Sequence, residues 1–198
     1  MIGGFSPKTR KENLEGNSVV LPKGILLRLA TEDDCAEITK LDMTIFPNSN
    51  RFEEVAGAIL DFLFHYRSYV ATKDDKIVGY AIINTGTDRG VSFSDLVTFG
   101  VDALYQGQGI GTMLLEIVIT ECIGYEIDLI KLHVNVENRA VRLYHSMGFR
   151  FITTKPDYYF DSNDASWLGN QSRDAYLMCK TFKDRDLIQK QNLGLQND

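Results

Sequence analysis

Tyr105-Gln-Gly-Gln-Gly-Ile-Gly111 runs directly into Thr-Met-Leu-Leu-Glu-Ile-Val-Ile-Thr-Glu-Cys122, an apolar pattern of helical type. Glycine loses more backbone freedom on folding than any other residue. Three of them, at 107, 109 and 111, therefore weaken a helix start unless the backbone there must come close to something. A strand-like stretch, 91–101, precedes the loop. A glycine-rich turn between a strand and a helix N-terminus aims free backbone N–H groups at one point, and the helix dipole adds about half a positive charge there. That arrangement cradles a phosphate. A tight strand-to-helix turn without a ligand is the plainer reading, and the loop alone leaves both open. A P-loop is excluded, because Thr112-Met113 stands where Lys-Ser/Thr is required. A dinucleotide fingerprint fits poorly, because position 114 is leucine and no acidic ribose partner is evident about 20 residues on.

Working outward, strands and helices alternate. Residues 25–29 (ILLRL) read as a strand, and Thr31 caps a helix to about 45 with Glu32, Asp33 and Asp34 in its first turn. Phe46-Pro47-Asn48-Ser49-Asn50 breaks that helix, and a second runs over about 51–65. Strands at 68–72 and 77–84 flank the turn Lys73-Asp74-Asp75-Lys76. After the strand at 91–101, the glycine loop leads into a helix to about Cys122, stopped by Gly124. A strand at 129–134, a short helix at 138–147 ended by Gly148, and strands at 149–154 and 175–180 complete the order. Seven strands with interspersed helices give an α/β (α+β) protein built on a mixed sheet. The domain spans 24–182, between a flexible arm at 1–23 and a polar tail at 183–198.

The 198-residue chain is 44% hydrophobic, enough for one well-packed domain. Its net charge of −6 disfavours nucleic acid as a partner, so an anionic ligand needs a local site. The three cysteines, Cys35, Cys122 and Cys179, form no CxxC pair, and the three histidines show no metal-ligand spacing. The expectation is a reducing, cytoplasmic setting with no metal, no disulfide and no membrane span.

Two motifs carry a family resemblance. Gln106-Gly107-Gln108-Gly109-Ile110-Gly111 resembles the Q/R-x-x-G-x-G signature of the Gcn5-related N-acetyltransferases (GNAT), whose loop holds the pyrophosphate of acetyl-coenzyme A. Asn138-Arg-Ala-Val-Arg-Leu-Tyr144-His-Ser-Met-Gly148-Phe149 is similar to their N-x-x-A-x-x-L-Y-x-x-x-G-F, at a matching separation. The resemblance implies a mostly antiparallel sheet splayed between the fourth and fifth of the seven strands, here 91–101 and 129–134. It also implies acetyl-coenzyme A as cosubstrate, contacted by Phe99, Gly100, Val101, Gln106, Gly107, Gln108, Gly109, Ile110, Gly111, Thr112, Asn138 and Tyr144. The family asparagine usually lies seven residues before the tyrosine, but Asn138 lies six before Tyr144, so Asn135 competes for that role.

Further stretches resemble the protein N-terminal acetyltransferases: Phe46-Pro47, Leu132-His133-Val134 and Pro156-Asp157-Tyr158-Tyr159. In those enzymes a Phe-Pro loop and a Tyr-Tyr hairpin clamp a peptide, which assigns Phe46, Pro47, Val97, Tyr158 and Tyr159 to the acceptor. Arg173-Asp174-Ala175-Tyr176-Leu177-Met178 is similar to the ending of the bacterial ribosomal-protein acetyltransferases. A Phe-Pro pair also serves as a helix stop, and a Tyr-Tyr pair as packing surface.

Acetyl transfer to an amine needs a proton acceptor, an oxyanion donor and a group facing the departing thiolate. Asp95 is one candidate base. Strand alternation puts it on one face with Phe93, Val97, Phe99 and Val101, where desolvation would raise a carboxyl pKa. His133 is the other base candidate and also reads as a solvated strand residue. Tyr144 matches the family tyrosine that faces the coenzyme sulfur. The chemistry expected is acetyl transfer to the α-amine of a protein or peptide. A small free amine as acceptor and a non-catalytic coenzyme-binding subunit are the alternatives.

Overall fold

The computed structural model describes residues 19–21, 24–46, 66–159 and 172–182. Within them an eight-stranded sheet is ordered β1-β2-β3-β4-β5-β6-β8-β7: β1 (Val19–Leu21), β2 (Ile25–Leu29), β3 (Tyr66–Lys73), β4 (Lys76–Asp88), β5 (Val91–Val101), β6 (Leu129–Asn135), β7 (Arg150–Lys155) and β8 (Ala175–Thr181). Three helices accompany it: α1 (Cys35–Ile45), α2 (Ile110–Gly124) and α3 (Ala140–Ser146). Neighbouring strands run antiparallel, except that β5 and β6 are parallel and joined through α2.

The helices divide the core. Leu114, Leu115, Val118 and Cys122 of α2 are buried against Ala81, Ile83, Leu96, Ile130 and Leu132 of the sheet. On the opposite face, Ile38 and Leu41 of α1 pack with Val70, Tyr80 and Ile82.

Several boundaries differ from the sequence reading. Val19–Leu21, inside the segment read as a flexible arm, pairs with β2, so the sheet has eight strands and not seven. The helix after Thr31 opens as a 3-10 turn, Glu32–Asp34, before α1 begins. Gly124 does not stop the helix after the glycine loop but is its last residue, and the chain turns at Glu126 with φ +57°. Gly148, in contrast, has φ +87° just past α3, as its placement suggested. The proposed helix over 51–65, Pro47 and the tail at 183–198 lie outside the described residues.

One sequence-level inference about faces fails. Ile82 pairs with Thr98 and Ile83 with Leu96, so Val97 is an extra residue bulged out of β5. A bulge reverses the alternation beyond it. Leu96 is therefore buried in the α2-side core, and Phe99 and Val101 pack against that same core. Val97 packs against the α1-side cluster, and Phe93 against Val91, Leu129 and Cys179. Asp95 thus shares a face with Phe93 but not with Phe99 and Val101.

The turn into α1 is held by a charged pair. Arg28 Nη1 and Nη2 donate to the Asp34 carboxylate at 2.6 and 2.8 Å, and the Thr31 N–H donates to it at 2.7 Å. Burial on its own would raise the Asp34 carboxyl, but these donors overcome it and hold the group below its ordinary value. A lowered folded pKa contributes stability above the unfolded value near 3.8, and that contribution disappears as pH falls through the folded one. Asp34→Ala is expected to cost about 1–3 kcal/mol at neutral pH, since it strips hydrogen bonds from a charged partner. In urea unfolding at a series of pH values, the gap between wild type and variant should close toward the acid end. A gap independent of pH would show that the ion pair is not its source.

Candidate active site

The pairing of β5 with β6 covers three residues on each strand: Phe93 with Leu129, Ser94 with Ile130 and Asp95 with Lys131. β6 is paired with β8 along its whole length on the other edge, and beyond Asp95 β5 continues toward the glycine loop along β4 alone. The strands diverge, as the resemblance implied. Asp95 and Lys131 sit at the vertex, with Lys131 Nζ 3.5 Å from Asp95 Oδ2 and 4.2 Å above the Phe93 ring.

At the open end of β5 lies a cleft of about 870 Å³. Its floor is Phe99, Gly100 and Val101; one wall is Gln106, Gly107, Gly109 and the first turn of α2, and the other is Asn138 with the start of α3. Ile45 and Phe46 close the α1 side. The three loop glycines serve different ends. Gly107 and Gly109 have φ of +73° and +85°, and both point where a Cβ would meet only open space. Gly111 is needed for packing, since a Cβ there would lie 3.2 Å from Phe99 and 3.3 Å from Leu143. Gly100 is needed for approach: its Cβ would fall 2.6 Å from Ile45 and 2.9 Å from Tyr80.

Gly109 caps α2, and the first intrahelical bond runs from Met113 N–H to its carbonyl at 3.1 Å. The N–H groups of Ile110, Gly111 and Thr112 precede that bond, all three residues line the cleft, and the first turn holds no acid. Unshared helical N–H groups at an open cleft suit an anion of phosphate type.

The two asparagines part company. Asn135 is buried; its Nδ2 donates to the Ser172 carbonyl and its Oδ1 accepts from the Glu137 N–H at 2.9 Å. Asn138 lines the cleft, with Oδ1 accepting from Ala140 N–H at 2.8 Å and capping α3, which leaves its Nδ2 donor. Gln108 and Tyr144 are not lining residues. Gln108 reaches Leu104 O at a long 3.4 Å, and Tyr144 stands behind Phe99, ring centroids 6.1 Å apart. Burial, with a smaller effect of Tyr159, pushes the Tyr144 phenol well above its ordinary value, so it stays protonated.

The other face of the sheet carries the remaining candidates. His133 stacks on Tyr158 with centroids 4.2 Å apart and rings 12° from parallel. Tyr158 meets Tyr159 edge to face, and the turn holding both is tied down by Tyr159 N–H to Arg173 O (3.1 Å) and Asp157 N–H to Asp174 Oδ1 (3.0 Å). The acidic stretch before β8 therefore anchors the tyrosine hairpin. Asp95 is not the desolvated lone acid that alternation suggested. Its side chain is 28% exposed and has a cation beside it. On the α1 side, Asp42 Oδ1 accepts from the hydroxyls of Tyr80 and Thr98, which fixes the end of α1 just before Phe46.

Residues 44–162, more than half of the chain, match the family of acetyltransferase (GNAT) domains. The chain belongs to that family. It is 33% identical over 95 residues to the ribosomal protein bS18-alanine N-acetyltransferase of Escherichia coli K12, a match covering 48% of this chain and 62% of that protein. An N-acetyltransferase of Methanocaldococcus jannaschii is 34% identical over 104 residues, covering 49% and 61%. The chain thus spans less than two thirds of these relatives. Among solved structures it is similar to Arabidopsis thaliana Naa50 in complex with the bisubstrate analogue CoA-Ac-MVNAL, at TM-score 0.65 and 26% identity over 80% of this chain and 99% of that one. The Escherichia coli bS18-alanine enzyme shares the fold at TM-score 0.64 and 21% identity, covering 81% and 95%.

Residues that the sequence reading passed over also line the GNAT cleft, chiefly Ile45, Tyr105, Glu137, Arg139 and Leu143. Arg139, Ala140 and Leu143 recur at helical spacing beside Asn138, so one helix face already held the signal.

The electrostatics around His133 make a direct prediction. Burial lowers its pKa below the ordinary 6.5, Asp95 pulls it up, and Lys131 and Lys155 push it down. The unfolded chain then takes up this proton first, so His133 costs stability only as pH falls below about 6.5. An NMR titration should place the imidazole below 6.5, with Asp95→Asn lowering it further and Lys155→Met raising it. An unchanged midpoint in both variants would disprove the coupling.

Proposed function

We propose that this chain is an acetyl-coenzyme-A-dependent N-acetyltransferase acting on the α-amine of a protein or peptide. The observation that carries the reading is the junction of two half-sites at one splay. The N–H cradle of 107–112 opens on the α2 side, and His133 with the tyrosine hairpin stands on the opposite face. A thioester arriving from one side and an amine from the other meet between β5 and β6. The aromatic surface of Tyr158, 46% exposed and stacked on His133, suits a peptide better than a bare amine. The relatives act in the same sense: one is named for the alanine of a ribosomal protein, and another is held with a peptide analogue.

His133 is the better placed proton acceptor. Burial keeps its imidazole neutral at neutral pH, and an α-amine, with a pKa of about 8, needs only a weak base working through water. Asp95, paired with Lys131, biases that imidazole and is not itself the base. As the amine nitrogen bonds to the thioester carbonyl carbon, its proton passes toward His133 and the carbon–sulfur bond breaks. The family resemblance is what sets Tyr144 toward the departing sulfur; its ring lies off the cleft lining, behind Phe99. Full proton transfer from a phenol raised above its ordinary value to a thiolate of pKa about 8.5 is uphill. Tyr144 therefore stabilises the thiolate by hydrogen bonding, and solvent supplies the final proton.

His133→Ala should lower kcat by about 10²-fold or more, with coenzyme affinity retained. Asp95→Asn should do less on its own and add little to the His133 variant, because the two act as a unit. An Asp95→Asn loss exceeding that of His133→Ala would return the base to the carboxylate.

Release of free thiol measured with a peptide panel and an amine panel tests the acceptor. Peptides should be turned over, and Tyr158→Ala should raise their KM without altering coenzyme binding. Turnover of small amines alone, indifferent to Tyr158, would assign the other acceptor class. Coenzyme binding with no turnover on either panel would mark a non-catalytic subunit.

A further inference from the structure

The coenzyme reading raises a charge problem. A coenzyme A ligand carries several negative charges, and the chain that must hold it carries −6. The glycine loop contributes N–H groups but no cationic side chain. Among the described residues lining the cleft, Arg139 is the only cation and Glu137 the only acid.

Arg139 is exposed, but it has a defined position. Its Nη2 donates to Gln106 Oε1 at 2.7 Å, and Gln106 Nε2 in turn donates to the Val101 carbonyl at 3.0 Å. Arg139 belongs to the α3 wall of the cleft and Gln106 to the glycine-loop wall, so the pair spans the opening. Its partner is a neutral amide oxygen, so this bond leaves the guanidinium charge unneutralised, whereas a phosphate would accept from it as an anion, with bidentate geometry open to it. A guanidinium has five N–H donors in a planar fork, and Gln106 engages one nitrogen. Arg139 lines a cleft whose opposite wall is the N–H cradle of α2.

We propose that Arg139 is a phosphate-binding residue: steered across the cleft by Gln106, its guanidinium donates to a phosphate of the bound coenzyme from the side opposite the glycine loop. This rests on the coenzyme reading above and adds a second, side-chain half to the anion site. The pyrophosphate and the 3′-phosphate present the same chemistry, and the probes separate them.

The test is calorimetric titration of the full chain with coenzyme A and with 3′-dephospho-coenzyme A, at low and high salt. Arg139 is a surface residue, so Arg139→Gln should melt like wild type, and equal melting curves establish that the fold is intact. The variant should bind coenzyme A about ten- to a hundred-fold more weakly, the range for losing hydrogen bonds to a charged group. Its affinity should also depend less on salt. Arg139→Lys should fall between, because it keeps the charge and loses the fork. If the loss vanishes with the dephospho compound, the contact is to the 3′-phosphate; if it persists, to the pyrophosphate. An Arg139→Gln protein binding coenzyme A within about twofold of wild type at both salt levels would overturn the assignment while leaving the coenzyme reading intact. Failure of the wild-type chain itself to bind would overturn both.

Discussion

The divergence of β5 from β6 after Asp95 and Lys131 is the constraint on which the site depends. Two parallel strands that stayed paired would close the sheet and hide the backbone of Phe99–Val101. Here three paired residues hold the strands together; past them β5 keeps only β4, and β6 keeps only β8, its partner on the far edge throughout. Different groups stand on the two faces of the sheet beside the gap that results. The α2 face has the N–H cradle and Tyr144; the other has His133 and Tyr158.

The elements around the gap are fixed by polar contacts as much as by apolar packing. Asp42 joins α1 to β4 and β5 through two hydroxyls, so that Ile45 and Phe46 reach the cleft beside Gly100, which lacks the Cβ that Ile45 would strike. Asn135 ties the end of β6 to Ser172, and Asp174 ties the tyrosine hairpin to the lead into β8. Lys180 donates to the Met147 carbonyl at 2.9 Å and caps the end of α3. The Asp42 bonds satisfy groups whose burial would otherwise be costly, and the others fix the turns that carry residues of the site.

Electrostatics divide the two half-sites. The α2 N-terminus favours an anion through partial charges and Arg139. On the other face, His133 lies between one carboxylate and two ammonium groups, and burial leaves it neutral. The arrangement matches a negatively charged acyl carrier on one side and an amine losing a proton on the other.

The cradle was legible in the sequence because its information is local: glycines 107 and 109 permit the positive φ found there, and an apolar helical pattern begins at 110. The strands read at 77–84 and 91–101 were equally plain as apolar runs, although the first extends in the fold over Lys76–Asp88. By itself the sequence thus determined a mixed sheet, the order of its elements from β2 on and the glycine-rich turn into α2. It did not determine which way Asp95 points, because the Val97 bulge depends on register against β4 and leaves no periodic trace. Nor could spacing choose between Asn135 and Asn138. That choice came from Ser172, 37 residues away in the chain, which occupies the first and leaves the second facing the cleft. The pairing of Arg139 with Gln106 across 33 residues has the same origin. Local backbone demands are written in consecutive residues, whereas the sharing of donors and acceptors between distant segments exists only once the chain has folded.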